Sequence, residues 1–251
     1  MCIRDSYYTV FGLEGLVALG EPMPPATRGY LERAGEPERL DFVHLTCLAR
    51  AWATLSPAGI PPDAGERLAA CLSRFRSADG GYATTPGAEC GSVYAAFLAV
   101  GALQDLRHDA ASDPAIAGSI DRLRAADGGF ANQPGVDEGL TPPTAAAAVL
   151  LRHFDRPRDD RLVSWLLARW HPDGGFFASA RAPLPDLLST ATALHALVSM
   201  HAPIDAIKEP CLDFVDTLWT NAGGFCGSWA DPVQDCEYTY YALLALGHLS
   251  L

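Results

Sequence analysis

Hydrophobic positions along the chain fall into two alternating patterns. The first is a stripe. In ERLAACLSRFRSAD, Leu68, Cys71, Leu72 and Phe75 recur at helical spacing with Arg67, Arg74 and Arg76 elsewhere, the period of an amphipathic helix packed on one side. The second is apolar nearly all round, which marks a buried helix. It appears as SVYAAFLAVGAL from 92, TAAAAVLLRHF from 144, TATALHALVSM from 190 and TYYALLALGHL from 239. Each stretch opens on Ser or Thr, good N-cap residues, so each helix is predicted to start there.

A third phrase separates the two patterns. It reads SADGGYATTPG at 77–87, AADGGFANQPG at 125–135, HPDGGFFASAR at 171–181 and TNAGGFCGSWA at 220–230, with the first glycine of each pair at 80, 128, 174 and 223. Self-similarity at a nearly fixed period is the signature of a repeat architecture. The glycine pair is expected to end the amphipathic helix in the left-handed conformation. The aromatic after it (Tyr82, Phe130, Phe176, Phe225) is expected to fold back as an apolar anchor. Two degenerate units precede these, SYYTVFGLEGLVALG from 6 and HLTCLARAWATL from 44. The count becomes six inner helices, with outer helices between them and the first outer helix absent or lost. Because the inner helices are apolar all round, a closed ring buries them better than an open superhelix. The expectation is an all-α fold, an α6–α6 toroid of alternating outer and inner helices, as a single domain over 6–251. The opening MCIRDS, residues 1–6, resembles a translated sequencing adapter, so the natural start is expected to be missing.

Composition narrows the function. The net charge of −12, with Lys208 the only lysine among eighteen basic residues, argues against a nucleic-acid or anionic-membrane surface, which needs a basic footprint. Apolar runs are interrupted too early for a transmembrane span. Seven cysteines without a CxxC pair read as reduced thiols, and the expected location is cytoplasmic.

The four in-phase Gly-Gly-aromatic phrases, with the inner starts SVYAAFLAV, STATALHAL and EYTYYALLAL, resemble the terpenoid cyclase and protein prenyltransferase β-subunit superfamily. That resemblance implies the toroid and a central cavity holding an isoprenoid, such as a polyprenyl diphosphate. Class II cyclases of the superfamily protonate substrate from a DxDD motif. This chain has none, its adjacent aspartates being Asp159 and Asp160 in RPRDDRL. Prenyltransferase β subunits hold Zn²⁺ with an Asp and a Cys at one inner-helix start and a His at the next, so that the metal converts a substrate thiol to thiolate. Here the resemblance implies Asp235 and Cys236, with His44 as third ligand. In this chain Asp235 and Cys236 are adjacent, where the family separates them by one residue. Zinc-assisted prenyl transfer, with a separate helical α-type subunit or a protein or peptide substrate as partner, is the activity so implied.

Tyr8, Tyr94, Tyr238 and Tyr241 crowd the beginnings of inner helices and are candidates to line an isoprenoid site. The helix N-termini are candidates for its diphosphate. Arg50 and Arg152 are the inner-helix arginines available as a clamp, or as outward-snorkelling side chains. Asp41, His44 and Cys47 share one helix face, as half a metal site or as a capping Asp with a bonded His. His195, mid-helix among apolar residues, reads as a satisfied core histidine. The reading from a different class is a non-catalytic toroid, a lipid- or peptide-binding module or interaction scaffold.

Overall fold

A computed structural model of the chain describes residues 4–33, 36–55, 60 and 62–250; residues 1–3 of the adapter-like opening lie outside them. The fold is helical throughout, with two small hairpins, and divides into two compact units, Met1–Asp121 and Arg122–Leu251.

The first unit contains α1 (Arg4–Leu19), α2 (Thr27–Glu32), α3 (Phe42–Leu55), α4 (Pro62–Ser73), α5 (Val93–Asp105) and α6 (Pro114–Asp121). The inner helices α1, α3 and α5 pack side by side in that order, with α2 and α4 against α3, and α6 against α5. The second unit contains α7 (Thr141–His153), α8 (Asp160–Leu167), α9 (Leu187–Ser199), α10 (Asp205–Thr217) and α11 (Cys236–Leu249). Its inner helices α7, α9 and α11 pack in sequence, covered by α8 on α7 and α9 and by α10 on α11. Antiparallel pairs β1 (Phe176–Phe177) with β2 (Pro185–Asp186), and β3 (Phe225–Ser228) with β4 (Asp231–Asp235), lead into α9 and α11.

The glycine pairs do not end the outer helices. Those helices stop at Ser73, Asp121, Leu167 and Thr217, six or seven residues before each first glycine. The pair instead belongs to a tight turn, with Gly80 N–H donating to Ser77 O and the equivalent bond at Gly128, Gly174 and Gly223. All four first glycines have φ between +87° and +95°, a region that costs a residue with Cβ. In the first two turns the preceding aspartate ties the loop. Asp79 Oδ1 accepts from Gly81 and Gly91 N–H, and Asp127 Oδ1 from Gly129 and Gly139 N–H. The anchors behave as expected: Tyr82, Phe130, Phe176 and Phe225 are all buried. Each pairs through its backbone with Arg76, Arg124, Trp170 or Trp219 respectively. The side chains of Arg76, Arg124 and Trp219 also lie against their anchor's ring.

Three of the four expected N-caps are displaced by one turn. Ser92 does cap α5, accepting from Ala95 N–H at 3.1 Å. Helix α7, however, starts at Thr141, because Pro142 and Pro143 fit the first turn, where a missing N–H costs nothing. Asp186 caps α9 and Asp235 caps α11. The threonines read as caps sit at the fourth helical residue and latch the repeat instead. Thr144, Thr190 and Thr239 Oγ1 accept the backbone N–H of Phe130, Phe176 and Phe225, at 2.8, 2.9 and 3.4 Å. A buried anchor N–H would otherwise have no acceptor, and the threonine one turn into the next inner helix supplies it.

Candidate functional site

Counting each inner helix from its cap (Asp41, Ser92, Leu140, Asp186, Asp235) brings out one register. The side chains that stay half-buried or exposed are chiefly the second, sixth, ninth and thirteenth after the cap. On α9 they are Leu188, Thr192, His195 and Ser199, with Val198 beside them. On α7 they are Pro142, Ala146, Val149 and His153; on α11 the same positions, Glu237, Tyr241, Leu244 and His248, are open together with most of the helix, Ala242, Ala245 and Leu249 being the buried ones. In the first unit they are Val43, Cys47, Arg50 and Thr54 on α3, and Tyr94, Leu98, Gly101 and Asp105 on α5, with Phe97 beside them. On α3, α5, α7 and α9 this is an open stripe that packed neighbours leave uncovered, and on α11 it is part of a broader open face. On α5 that stripe carries Tyr94 and Phe97 at 42% and 38% exposure. Large apolar side chains exposed side by side suit an apolar ligand.

The sequence-predicted residues fall unevenly on these stripes. Tyr94 and Tyr241 lie on them, Tyr241 with its ring edge-on to Tyr240. Tyr8 is an exposed residue of α1, edge-on to Tyr7. Tyr238 leans instead on the β3–β4 hairpin, where its ring occupies the space a Cβ on Gly227 would need. Burial raises its phenol, and the charges of Asp231, Asp235, Glu237 and Asp186 raise it further.

Asp235 spends one carboxylate oxygen as cap, accepting from Tyr238 N–H at 2.9 Å. Cys236, the first residue of α11, has its thiol pushed up by burial and then by the Asp235 charge. His44 belongs to the first unit, at the start of α3. Its ring Nδ1 lies 2.7 Å from Asp41 Oδ1, and its N–H donates to the same oxygen at 3.0 Å. Burial works to raise the Asp41 carboxyl, but these two bonds outweigh it and hold the group below its usual value. The capping reading of Asp41 and His44 therefore holds. Among the described residues no group of three or more His, Cys, Asp or Glu side chains is arranged to hold a metal ion.

Four inner-helix N-termini are capped by side chains. Asp41, Ser92, Asp186 and Asp235 each accept a first-turn N–H, from His44 on α3, Ala95 on α5, Ser189 on α9 and Tyr238 on α11. Proline removes two donors from α7, and Thr141 N–H donates to Ala178 O. Carboxylates thus stand at the start of α3 in the first unit and of α9 and α11 in the second. Arg50 is likewise engaged: its Nε lies 2.7 Å from Asp105 Oδ2, a close ion pair without the alignment of a hydrogen bond. Burial raises the Asp105 carboxyl, Arg50 lowers it, and Glu14 raises it again.

Sequence reasoning missed one arrangement on the stripes. His195 Nδ1 and His248 Nε2 lie 3.0 Å apart between α9 and α11. Burial lowers the basicity of both, and for His195 the neighbouring His248 adds to it. The signal was present in the register, since His195 is ninth after its cap and His248 thirteenth after the next.

The prenyltransferase alpha-alpha toroid domain model matches the chain over residues 42–115, 65–169 and 144–250. No curated protein sequence matches at a significant level. Among solved structures, the Candida albicans protein geranylgeranyltransferase-I complexed with GGPP superposes with a TM-score of 0.77 at 16% identity, over 97% of this chain and 83% of that one. A type II terpene cyclase from Scytonema in complex with merosterolic acid A gives 0.65 at 13% identity, over 97% and 86%. A polysaccharide lyase gives 0.64 at 13% identity, over 97% and 88%. Identities this low carry the fold and leave the chemistry open. With the family model spanning most of the sequence and the helices alternating as such a fold requires, this chain belongs to the prenyltransferase alpha-alpha toroid domain family.

Proposed function

We propose that the protein binds an isoprenoid along the open stripes of its inner helices. The observation that carries this reading is the exposed Tyr94–Phe97 pair on α5, a helix whose opposite face is buried. The described helices include none long and apolar enough to cross a membrane, so a membrane span does not account for that apolar surface. The Candida transferase and the Scytonema cyclase, which hold a geranylgeranyl diphosphate and a terpenoid product in the same fold, support the reading. The carboxylate caps and the paired Arg50 favour an uncharged head group over a diphosphate.

The test is calorimetric titration with geranylgeraniol and with geranylgeranyl diphosphate. Saturable binding of the alcohol, weakened about fivefold or more by Tyr94→Ala or Phe97→Ala, is expected, since each removes roughly 1 kcal/mol or more of apolar contact. Absence of saturable binding of either ligand would sink the reading.

Prenyl transfer is the catalytic form of the proposal and needs zinc, which the resemblance assigns to Asp235, Cys236 and His44. Those three do not form a ligand group among the described residues, so no step is derived through a metal. Elemental mass spectrometry of the purified protein beside Cys236→Ala decides the matter. One zinc per chain, lost in the variant, would make the protein a candidate transferase with a helical partner subunit. No zinc in either would leave a binding module.

A further inference from the structure

On the open stripes, the ninth residue of one inner helix meets the thirteenth of the next. In the first unit this register brings Arg50 to Asp105, and in the second it brings His195 to His248. The Arg50–Asp105 pair is internally neutralised. The histidine pair is not closed in the same way, and hydrogen-bond accounting shows why.

His248 Nδ1 is buried and has no partner among the described residues. Either tautomer of the pair keeps the bond between the rings, so the choice turns on this nitrogen. A proton there is a buried N–H without an acceptor, its absence leaves an unpaired lone pair, and orphaned buried N–H groups are the rarer of the two in folded proteins. The His248 proton therefore sits on Nε2 and is donated to His195 Nδ1 across the 3.0 Å gap. That donation fixes the other ring: His195 must carry its own proton on Nε2. This second N–H has no hydrogen-bond partner among the described residues and, unlike His248 Nδ1, is not sealed from solvent.

We propose that His195, held in its Nε2–H form by His248, is a specificity residue: a fixed hydrogen-bond donor for an uncharged oxygen on an otherwise apolar ligand. The proposal rests on the isoprenoid reading and narrows it to ligands bearing a hydroxyl, carbonyl or ether oxygen. His195 lies about 14 Å along α9 from the Asp186 cap. Leu188 and Thr192 occupy the intervening stripe positions, so a chain laid along them brings a polar atom to the donor. Glu237 stands on the adjacent stripe and no Lys or Arg stands on α9 or α11, the exposed Arg152 flanking the α7 stripe in its last turn, which disfavours an anion beside α9. His248 is the positioning residue, acting only through the tautomer of its neighbour.

Two measurements test this. Multiple-bond ¹⁵N–¹H NMR of the histidine rings should show Nε2–H at both His195 and His248, and a mixture of tautomers at His195 in His248→Phe. Calorimetry with farnesol and farnesene, which share a carbon chain and differ in the hydroxyl, should show the alcohol bound about fivefold to tenfold more tightly, the worth of one hydrogen bond. That preference should vanish in His195→Phe and shrink in His248→Phe. An Nδ1–H form of His195, or a preference unchanged in His195→Phe, overturns the proposal. If neither terpene binds, the isoprenoid reading falls. The donor role is then read with 1-dodecanol against dodecane, where equal affinity, or no binding of either, overturns it.

Discussion

At the scale of single residues, the fold places polar atoms where apolar packing alone would leave them orphaned. Thr190 is the clearest case. Its hydroxyl accepts from Phe176 N–H and donates to Asp186 O, both bonds under 3 Å. Thr190→Val keeps the shape and removes both, leaving a buried N–H without an acceptor. The expected loss is about 1–3 kcal/mol in urea unfolding. Thr239→Val should lose less, because its bond to Phe225 N–H is longer, at 3.4 Å. Equal losses would mean that the latch contributes little.

The histidine pair gives a second prediction at this scale. Both rings have a folded-state basicity below the ordinary histidine value, chiefly through burial. A lowered value means that the unfolded chain takes up protons first as pH falls. Stability contributed by the neutral pair is therefore complete above about pH 6.5 and is lost below it. Urea midpoints measured from pH 8 to pH 5 should fall more steeply for the wild type than for His195→Phe/His248→Phe. Parallel curves would show that the pair does not titrate with folding.

At the scale of elements, the repeat was legible in the sequence while its exact joints were not. Apolar runs located α5, α7, α9 and α11, because three sides or more of each helix are written in apolar residues, and the Ser/Thr starts extended the count to α1 and α3. The caps were misplaced because Ser and Thr serve equally as N-caps and as hydrogen-bond acceptors one turn further on. Only the partner, the anchor N–H fourteen residues earlier, tells these roles apart, and that partner is a tertiary contact. The glycine pairs were assigned to helix ends for a similar reason, since a C-cap and a tight turn both demand positive φ.

The structure now separates the glycines by what surrounds them. Gly129 has no room: an added Cβ would lie 2.5 Å from the Trp165 ring, which is packed in place. Gly223 has φ +88° but open space around it. Gly223→Ala should therefore cost only the strain of positive φ, about 1–2 kcal/mol. Gly129→Ala must displace an indole and should cost more, about 3 kcal/mol or above. Thermal unfolding of the two variants checks the order, and a larger loss at Gly223 would refute it.

At the scale of the whole molecule, the family was legible and the candidate site only partly so. Tyr94 and Tyr241 were candidates from their place near helix starts, and the packing puts both on open positions of their helices. The acidic composition was visible at once, and its consequence for the ligand emerges only with the caps. With net charge −12, Asp41 and the Arg50–Asp105 pair in the first unit and Asp186 and Asp235 in the second, the proposed site would offer an anionic head group like charge in either unit. Salt should then act in the unusual direction. Binding through a basic clamp weakens as ionic strength rises, whereas binding against like charge strengthens, because the repulsion is screened over a Debye length of about 10 Å at 0.1 M. Raising NaCl should tighten geranylgeranyl diphosphate binding and leave geranylgeraniol nearly unchanged. If salt instead weakens the diphosphate alone, a cationic site recognises it, and the preference for an uncharged head group is wrong.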